Sequence, residues 1–523
     1  VNVHGEMDAH AEKIAYVDKL HAQLGLDLSP LKAWPLMKLG RYEEARSIAK
    51  EAAQSDRAFF QSVGKTALCA VESEQRNRQA AYDACLAAAR RWVSDGSDGA
   101  VELTNAGAAS EEMLKLEDAE RYYLAATSRP PEGSVNPYGR LVLLYLRQAR
   151  YAEAVSALSS MDGYRARRPG AQFAQQDEAE SRLILATTLL LAGRIDDAEH
   201  RTERAMEQPD RKGTSSASSE QAVAGAALLD RAAKLARAAR EAEHAAVFDF
   251  DGGWGARARS LALRWSAWRS GLKAREVLTD PERLFTTFRP EVPGSVEGPE
   301  WLDFDAVGVL GPGVVLSALE RGRAEETLPP ELSEPIFQLF EAEARALQGR
   351  WRAAVDAADV AARELVPGLE LMRARAHARR AQAAEALGRM DEAAASFAAM
   401  LETDPGLARR LDMSLPVSVR SEGPVWSDVA ERLLASPRFR GASWGLQIEL
   451  SDGGITLRAA DGRLLRHRPW TKEALDGPSR ALAAHDRLLV PTMDLSQVDL
   501  RSLDGAVGGA VDADAVLDGL LQQ

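Results

Sequence analysis

Leu387-Gly388-Arg389-Met390-Asp391-Glu392-Ala393, running on through Phe397 to Asp404-Pro405, decides how this chain is read. Gly388 suits the positive φ at which one helix ends. Asp391 and Glu392 then fall in the first turn of the next helix, where the dipole favours carboxylates. Ala393 is small enough for two helix axes to approach closely. Phe397 lies one turn on, on the same face, and fills the space beside it. Pro405 closes the unit, because a helix does not continue easily through proline.

The pattern recurs. Gly40-Arg41-Tyr42-Glu43-Glu44-Ala45, Leu114-Lys115-Leu116-Glu117-Asp118-Ala119, Ala149-Arg150-Tyr151-Ala152-Glu153-Ala154, Gly193-Arg194-Ile195-Asp196-Asp197-Ala198 and Gly349-Arg350-Trp351-Arg352-Ala353-Ala354 repeat its form, and a degenerate copy ends at Ala81. Successive anchor alanines are 36, 38, 35, 44, 156 and 39 residues apart. A period of about 34 to 40 residues is that of a helical solenoid. The gap of 156 holds four periods of 39, so degenerate hairpins are expected to carry the solenoid through the middle of the chain.

On these residues the sequence resembles the tetratricopeptide repeat family. Gly388, Ala393, Phe397 and Pro405 match the family's loop glycine, small residue, aromatic and terminal proline. Around Ala119 the matches are Gly107, Tyr123, Ala126 and Pro131, and before Ala154 Tyr145 matches the first-helix aromatic. The last copy departs from the pattern, with His377 and Ala384 at the bulky first-helix positions. The resemblance covers roughly residues 30–205 and 335–405. It implies a protein or peptide ligand lying along the first helices of the hairpins. Counting back from the anchors puts Thr66, Thr104, Asn105, Asn136, Arg140 and Arg147 on or near that concave face. Asn and Arg there suit a peptide's backbone or carboxylate.

The expected fold is therefore mostly α: a TPR-like α–α superhelical solenoid followed by a small C-terminal α+β domain. The expected divisions are an N-terminal amphipathic helix within 1–28, hairpins over 29–208, an exposed linker over 209–220, degenerate hairpins with Trp-rich and Pro/Gly-rich segments over 221–334, hairpins over 335–416, and the α+β domain with a mobile tail over 417–523. In that last part Trp426–Leu434 and Pro478–Leu488 read as helices. Gly445–Leu450 and Ile455–Arg458 alternate as strands, and Asp461-Gly462 turns into Leu464–His467. Residues 430–440 resemble the helix-to-strand step of envelope α/β modules such as the amino-terminal domain of TolB-like proteins.

Composition narrows the classes. Apolar residues make up 46% and aromatics only 6%, so alanine carries much of the packing. A net charge of −13 argues against a nucleic-acid or anionic-membrane surface. The sequence holds no apolar run long enough for a transmembrane helix and no secretory signal pattern.

Catalytic signals are few. Ala246-Val247-Phe248-Asp249-Phe250-Asp251-Gly252-Gly253 resembles the first motif of haloacid-dehalogenase-type phosphotransferases, which implies Asp249 as nucleophile and Asp251 as acid/base with Mg²⁺. That chemistry needs a strand end of a parallel sheet. Helices near 220–246 and 256–278 are predicted on either side, and Gly253 stands where Thr is usual, so the segment reads as an acidic inter-helix loop. It is no calcium loop either, since the twelfth position is Ser260. His4, His10 and His21 lack the i, i+4 spacing of metal ligands and read as surface histidines. No nucleophile elbow, phosphate loop or zincin motif occurs. No catalytic residue, metal or cofactor is assigned. Trp254, Trp265, Trp268 and Trp301 read as core filling, with an aromatic binding patch as the other possibility.

Cys69 and Cys85 are the only cysteines. They fall on opposite sides of a turn near Arg76-Asn77, facing across one hairpin at a separation suited to a disulfide. Two buried thiols are the alternative. A disulfide favours a periplasm or cell surface over the cytoplasm. The resulting expectation is a non-catalytic adaptor, within a multi-subunit assembly or alone. The alternative is a Mg²⁺-dependent enzyme at Asp249/Asp251.

Overall fold

The structure is a computed structural model. It describes residues 10–25, 27–75, 77–94, 99–130, 136–166, 189–190, 195, 198, 202, 216–250, 252–278, 312–325, 328–470 and 476–489. After α1 (His10–Leu24) and a short 3-10 turn, four hairpins follow. They are α2 (Ala33–Lys38) with α3 (Tyr42–Ala53), α4 (Ala58–Glu74) with α5 (Arg78–Ser94), α6 (Ala100–Glu112) with α7 (Leu116–Thr127), and α8 (Pro137–Arg147) with α9 (Tyr151–Ala166). The fifth expected hairpin lies mostly outside the described residues.

One backbone device ends five of the described first helices. The amide of Arg41, Lys115, Arg150, Arg350 or Arg389 donates at 2.9 Å to a carbonyl five residues back, and the residue before it sits at positive φ. This is the Schellman closure, which satisfies carbonyls left over at a helix end. Gly388 adopts φ +74°, while Leu114 and Ala149 hold the same left-handed conformation without being glycine. The anchors Ala45, Ala81, Ala119, Ala154, Ala198, Ala354 and Ala393 are all buried, as the close helix approach requires.

After α10 (Ser216–Phe248), α11 (Trp254–Leu278) and α12 (Pro312–Glu325), the repeats resume. They are α13 (Pro330–Leu347) with α14 (Trp351–Glu364), and α15 (Glu370–Ala386) with α16 (Met390–Thr403), followed by the short α17 (Leu407–Arg410). The two sets of repeats meet directly. Leu116, Tyr123, Leu141, Leu144 and Leu158 share one apolar cluster with Leu339, Leu365, Leu369 and Met372.

Between the two sets of repeats, the described residues of the middle form hairpins of different proportions from the repeats. Helix α10 has 33 residues, roughly 50 Å at 1.5 Å per residue, about twice a repeat helix. It pairs with α11 as one long hairpin. It also begins at Ser216, inside the stretch read as a linker. Trp254 is 91% exposed and Trp265 62% exposed, so neither fills a core. Trp268's side chain and Trp301 fall outside the described residues.

The C-terminal part is α+β. It runs β1 (Leu415–Ser421), α18 (Pro424–Ala435), β2 (Phe439–Gly441), β3 (Leu446–Ser451), β4 (Gly454–Arg458), β5 (Leu464–Arg468) and α19 (Gly477–Leu489). Strand order is β2-β1-β3-β4-β5. β1 runs parallel to β2 and β3, and the rest pair antiparallel. Helix α18 supplies the crossover that parallel strands need. β1 is hidden in the sequence by Pro416, which reads as a break. Leu446, Ile448 and Leu450 of β3 belong to the same core as Phe397, Met400 and Leu401 of α16. The sheet is thus built onto the last repeat. The tail expected to be mobile lies outside the described residues.

Candidate functional site

Sequence spacing becomes contact on the first helices. Lys38–Glu74, Thr66–Glu102, Glu111–Arg147 and Glu343–Arg379 are each separated by 36 residues and each share a hydrogen bond. Each pair joins neighbouring first helices: α2 to α4, α4 to α6, α6 to α8, and α13 to α15. One period of sequence thus places a donor beside its acceptor in the adjacent hairpin.

These bonds bear directly on the groove residues. The Thr66 hydroxyl donates to Glu102 Oε1 at 3.1 Å and accepts from Trp92 Nε1 at 3.2 Å. Thr104 is buried and donates to the Ala100 carbonyl at 2.7 Å. Asn136 caps α8, accepting from the Tyr138 amide at 3.2 Å. Arg147 pairs with Glu111, whose other oxygen accepts from the Tyr123 hydroxyl at 2.6 Å. Burial first, then the Glu111 charge, pushes the Tyr123 phenol well above its ordinary value. These four residues bind their own chain, because stacking brings each a partner one repeat or one turn away. Asn105 and Arg140 are half-buried on the same helices. Trp34 of α2 and Phe59 of α4 are large, apolar and exposed.

The other candidate residues separate. Asp249 is exposed in the turn between α10 and α11, with a helix before it and not a strand. Asp251 lies outside the described residues. His10 is buried, against the surface reading, and burial holds it below the ordinary histidine value. Cys69 and Cys85 are joined by a disulfide with Cα atoms 4.6 Å apart.

A second site is not visible in the sequence. It lies where α10 crosses α17, α19 and the turn before β2. Glu243 and Arg438 are each 2% exposed and paired at 3.0 Å. Arg409 donates to Glu243 at 3.2 Å and to Asp486 at 3.3 Å. Arg438 also pairs with Asp412 and donates to the Met413 carbonyl at 3.0 Å. Desolvation would raise the Glu243 carboxyl, but the guanidinium groups of Arg409 and Arg438 hold it below the usual range. Burial holds His485 below its ordinary value.

Within this cluster Ser436 Oγ lies 2.8 Å from His485 Nε2, and His485 Nδ1 lies 3.2 Å from Asp486 Oδ1. The order hydroxyl, imidazole, carboxylate is that of an activated serine. Here both Ser436 and His485 are fully buried, and Oγ also accepts the Arg438 amide at 3.1 Å. No substrate reaches that oxygen in this conformation. His244 Nε2 completes the group, 3.0 Å from Asp486 Oδ1. Only one sequence signal points here: His485 falls on the stripe Ala481, Ala484, Leu488 that α19 turns inward.

The sequence model of the family described as tetratricopeptide repeat matches residues 374–406, which cover most of α15, all of α16 and the Asp404-Pro405-Gly406 turn. No curated protein matches the chain. The repeats are TPR-like, and the match points to protein–protein interaction. No helix among the described residues is long and apolar enough to cross a membrane.

Proposed function

We propose that this chain, a TPR-like solenoid carrying an α+β cap, is a non-catalytic scaffold that holds a protein or peptide partner against the first helices of its N-terminal repeats. The observation that carries this reading is the exposure of Trp34 and Phe59 on successive first helices. Tyr123 and Phe397, the aromatics of the repeat pattern itself, are buried. Exposed aromatic anchors are the residues that most often dominate a protein interface. Asn105 and Arg140, half-buried on the first helices α6 and α8, supply polar contacts to the same partner. The Cys69–Cys85 bridge supports an oxidising compartment such as a periplasm or cell envelope.

The test places a photo-crosslinking residue at Trp34, at Phe59, or at the exposed Val425 of the α+β part as a control. A partner crosslinked from the first two sites only, and weakened by Asn105→Ala/Arg140→Ala, supports the reading. Identical crosslinks from all three sites would sink it. So would Mg²⁺-dependent phosphatase turnover that Asp249→Asn abolishes.

A further inference from the structure

We infer that His244, His485 and Asp486 form a binding site for one transition-metal ion of the zinc class, bridging α10 and α19. This rests on the junction alone and is independent of the scaffold reading. One ligand atom from each of His244, His485 and Asp486 lies within 4.8 Å of the other two. Zinc holds such ligands at about 2.0–2.2 Å in a tetrahedron, which sets their mutual separations near 3.3 Å. The two distances to Asp486 Oδ1, 3.0 and 3.2 Å, are already close to that value.

Two imidazoles and one carboxylate suit zinc and its first-row neighbours, whereas magnesium and calcium take oxygen ligands. Three protein ligands leave the fourth position for water. The site has a route to it: the side chains of His244 and Asp486 are 28% and 40% exposed, while His485 forms the fully buried floor.

The far nitrogen of a metal-bound histidine usually donates to an oxygen that fixes its tautomer. His485 has that partner, since Nε2 faces Ser436 Oγ at 2.8 Å and Glu243 Oε2 at 3.9 Å. Arg409 is the cation set against Asp486, and Glu243 beneath it takes its Nε at 3.2 Å and offsets its charge. The Ser436–His485–Asp486 chain thus reads as ligand support and not as a serine relay.

The experiment uses the full chain without an affinity tag, stripped with a chelator and titrated with Zn²⁺ by calorimetry and with Co²⁺ by visible absorption. One equivalent of ion is expected, with the intense visible bands of four-coordinate cobalt. Thermal stability should rise with free Zn²⁺ as binding to the folded state alone requires. His244→Ala and Asp486→Asn should each weaken uptake at least tenfold. His244→Ala removes a partly exposed side chain and leaves Glu243 and Arg438 paired, so it stays folded by circular dichroism even if Asp486→Asn does not. Absence of stoichiometric uptake by the wild type overturns the inference. Uptake unchanged in folded His244→Ala also overturns it, because the ion then sits on other histidines.

Discussion

Tyr151 and Asp404, 253 residues apart in sequence, share a hydrogen bond of 3.0 Å. Asp404 is fully buried, pairs with Arg410, and takes the Gly406 amide at 3.1 Å. Tyr151 begins the second helix of the fourth hairpin and Asp404 ends the last, so this contact ties the two sets of repeats together. Tyr151→Phe removes one donor from a buried carboxylate and should cost about 1–3 kcal/mol. In urea the unfolding midpoint should fall with little change in slope. A midpoint equal to that of the wild type would show that the two sets do not share this bond in solution.

Ala393 and Gly107 test the packing of single hairpins. Ala393 is fully buried, and Ala393→Leu should overpack the last repeat by roughly 1–3 kcal/mol. A β-carbon on Gly107 would lie 2.5 Å from the Tyr123 ring, so Gly107→Ala should displace that ring and weaken its bond to Glu111. Thermal melts of both variants check this. Unchanged melting in Ala393→Leu would mean the helix contact has been placed on the wrong residue.

What is legible in the sequence is what local periodicity encodes. Gly388, Ala393 and Phe397 fix a turn, a close approach and its filler within a dozen residues, so the hairpins can be read one at a time. The alternation around Asp461-Gly462 exposes three strands in the same way. Contacts made across hundreds of residues leave no such trace. His244 reaches Asp486 over 242 residues, and nothing in either local pattern names the other. The groove residues meet a related limit. Counting from the anchors places Thr66 and Arg147, but the same count brings Glu102 and Glu111 beside them, each 36 residues away. A polar residue on a stacked face meets its own neighbour before any ligand.

The Cys69–Cys85 bridge closes a sequence separation of 16. A loop of that size is stabilised by at most about 3 kcal/mol. Adding reductant should lower the melting temperature of the wild type and leave a Cys69→Ala/Cys85→Ala variant unmoved. Mass spectrometry of unreduced, thiol-blocked protein from its native source then tests the compartment. Two alkylated cysteines there would remove the reason for placing the protein in an oxidising environment.

His377 should make stability depend on pH. It stands on α15, where the repeat pattern wants a bulky apolar side chain. Burial, then the charges of Arg380 and Arg373, push it down to about 4. In the unfolded chain a histidine titrates near pH 6.5. Above about pH 7.5, one unit over that value, it is neutral in both states and contributes no slope. As pH falls from there towards 4, the unfolded chain binds a proton that the folded chain refuses, so stability declines. The full effect is about 3 kcal/mol, reached near the folded value. His377→Gln keeps a polar side chain of similar size but cannot titrate. Urea unfolding of both proteins between pH 7.5 and 4.5, spanning about the window set by those two values, should show the wild type losing stability relative to His377→Gln as pH falls. Parallel curves would place His377 in water.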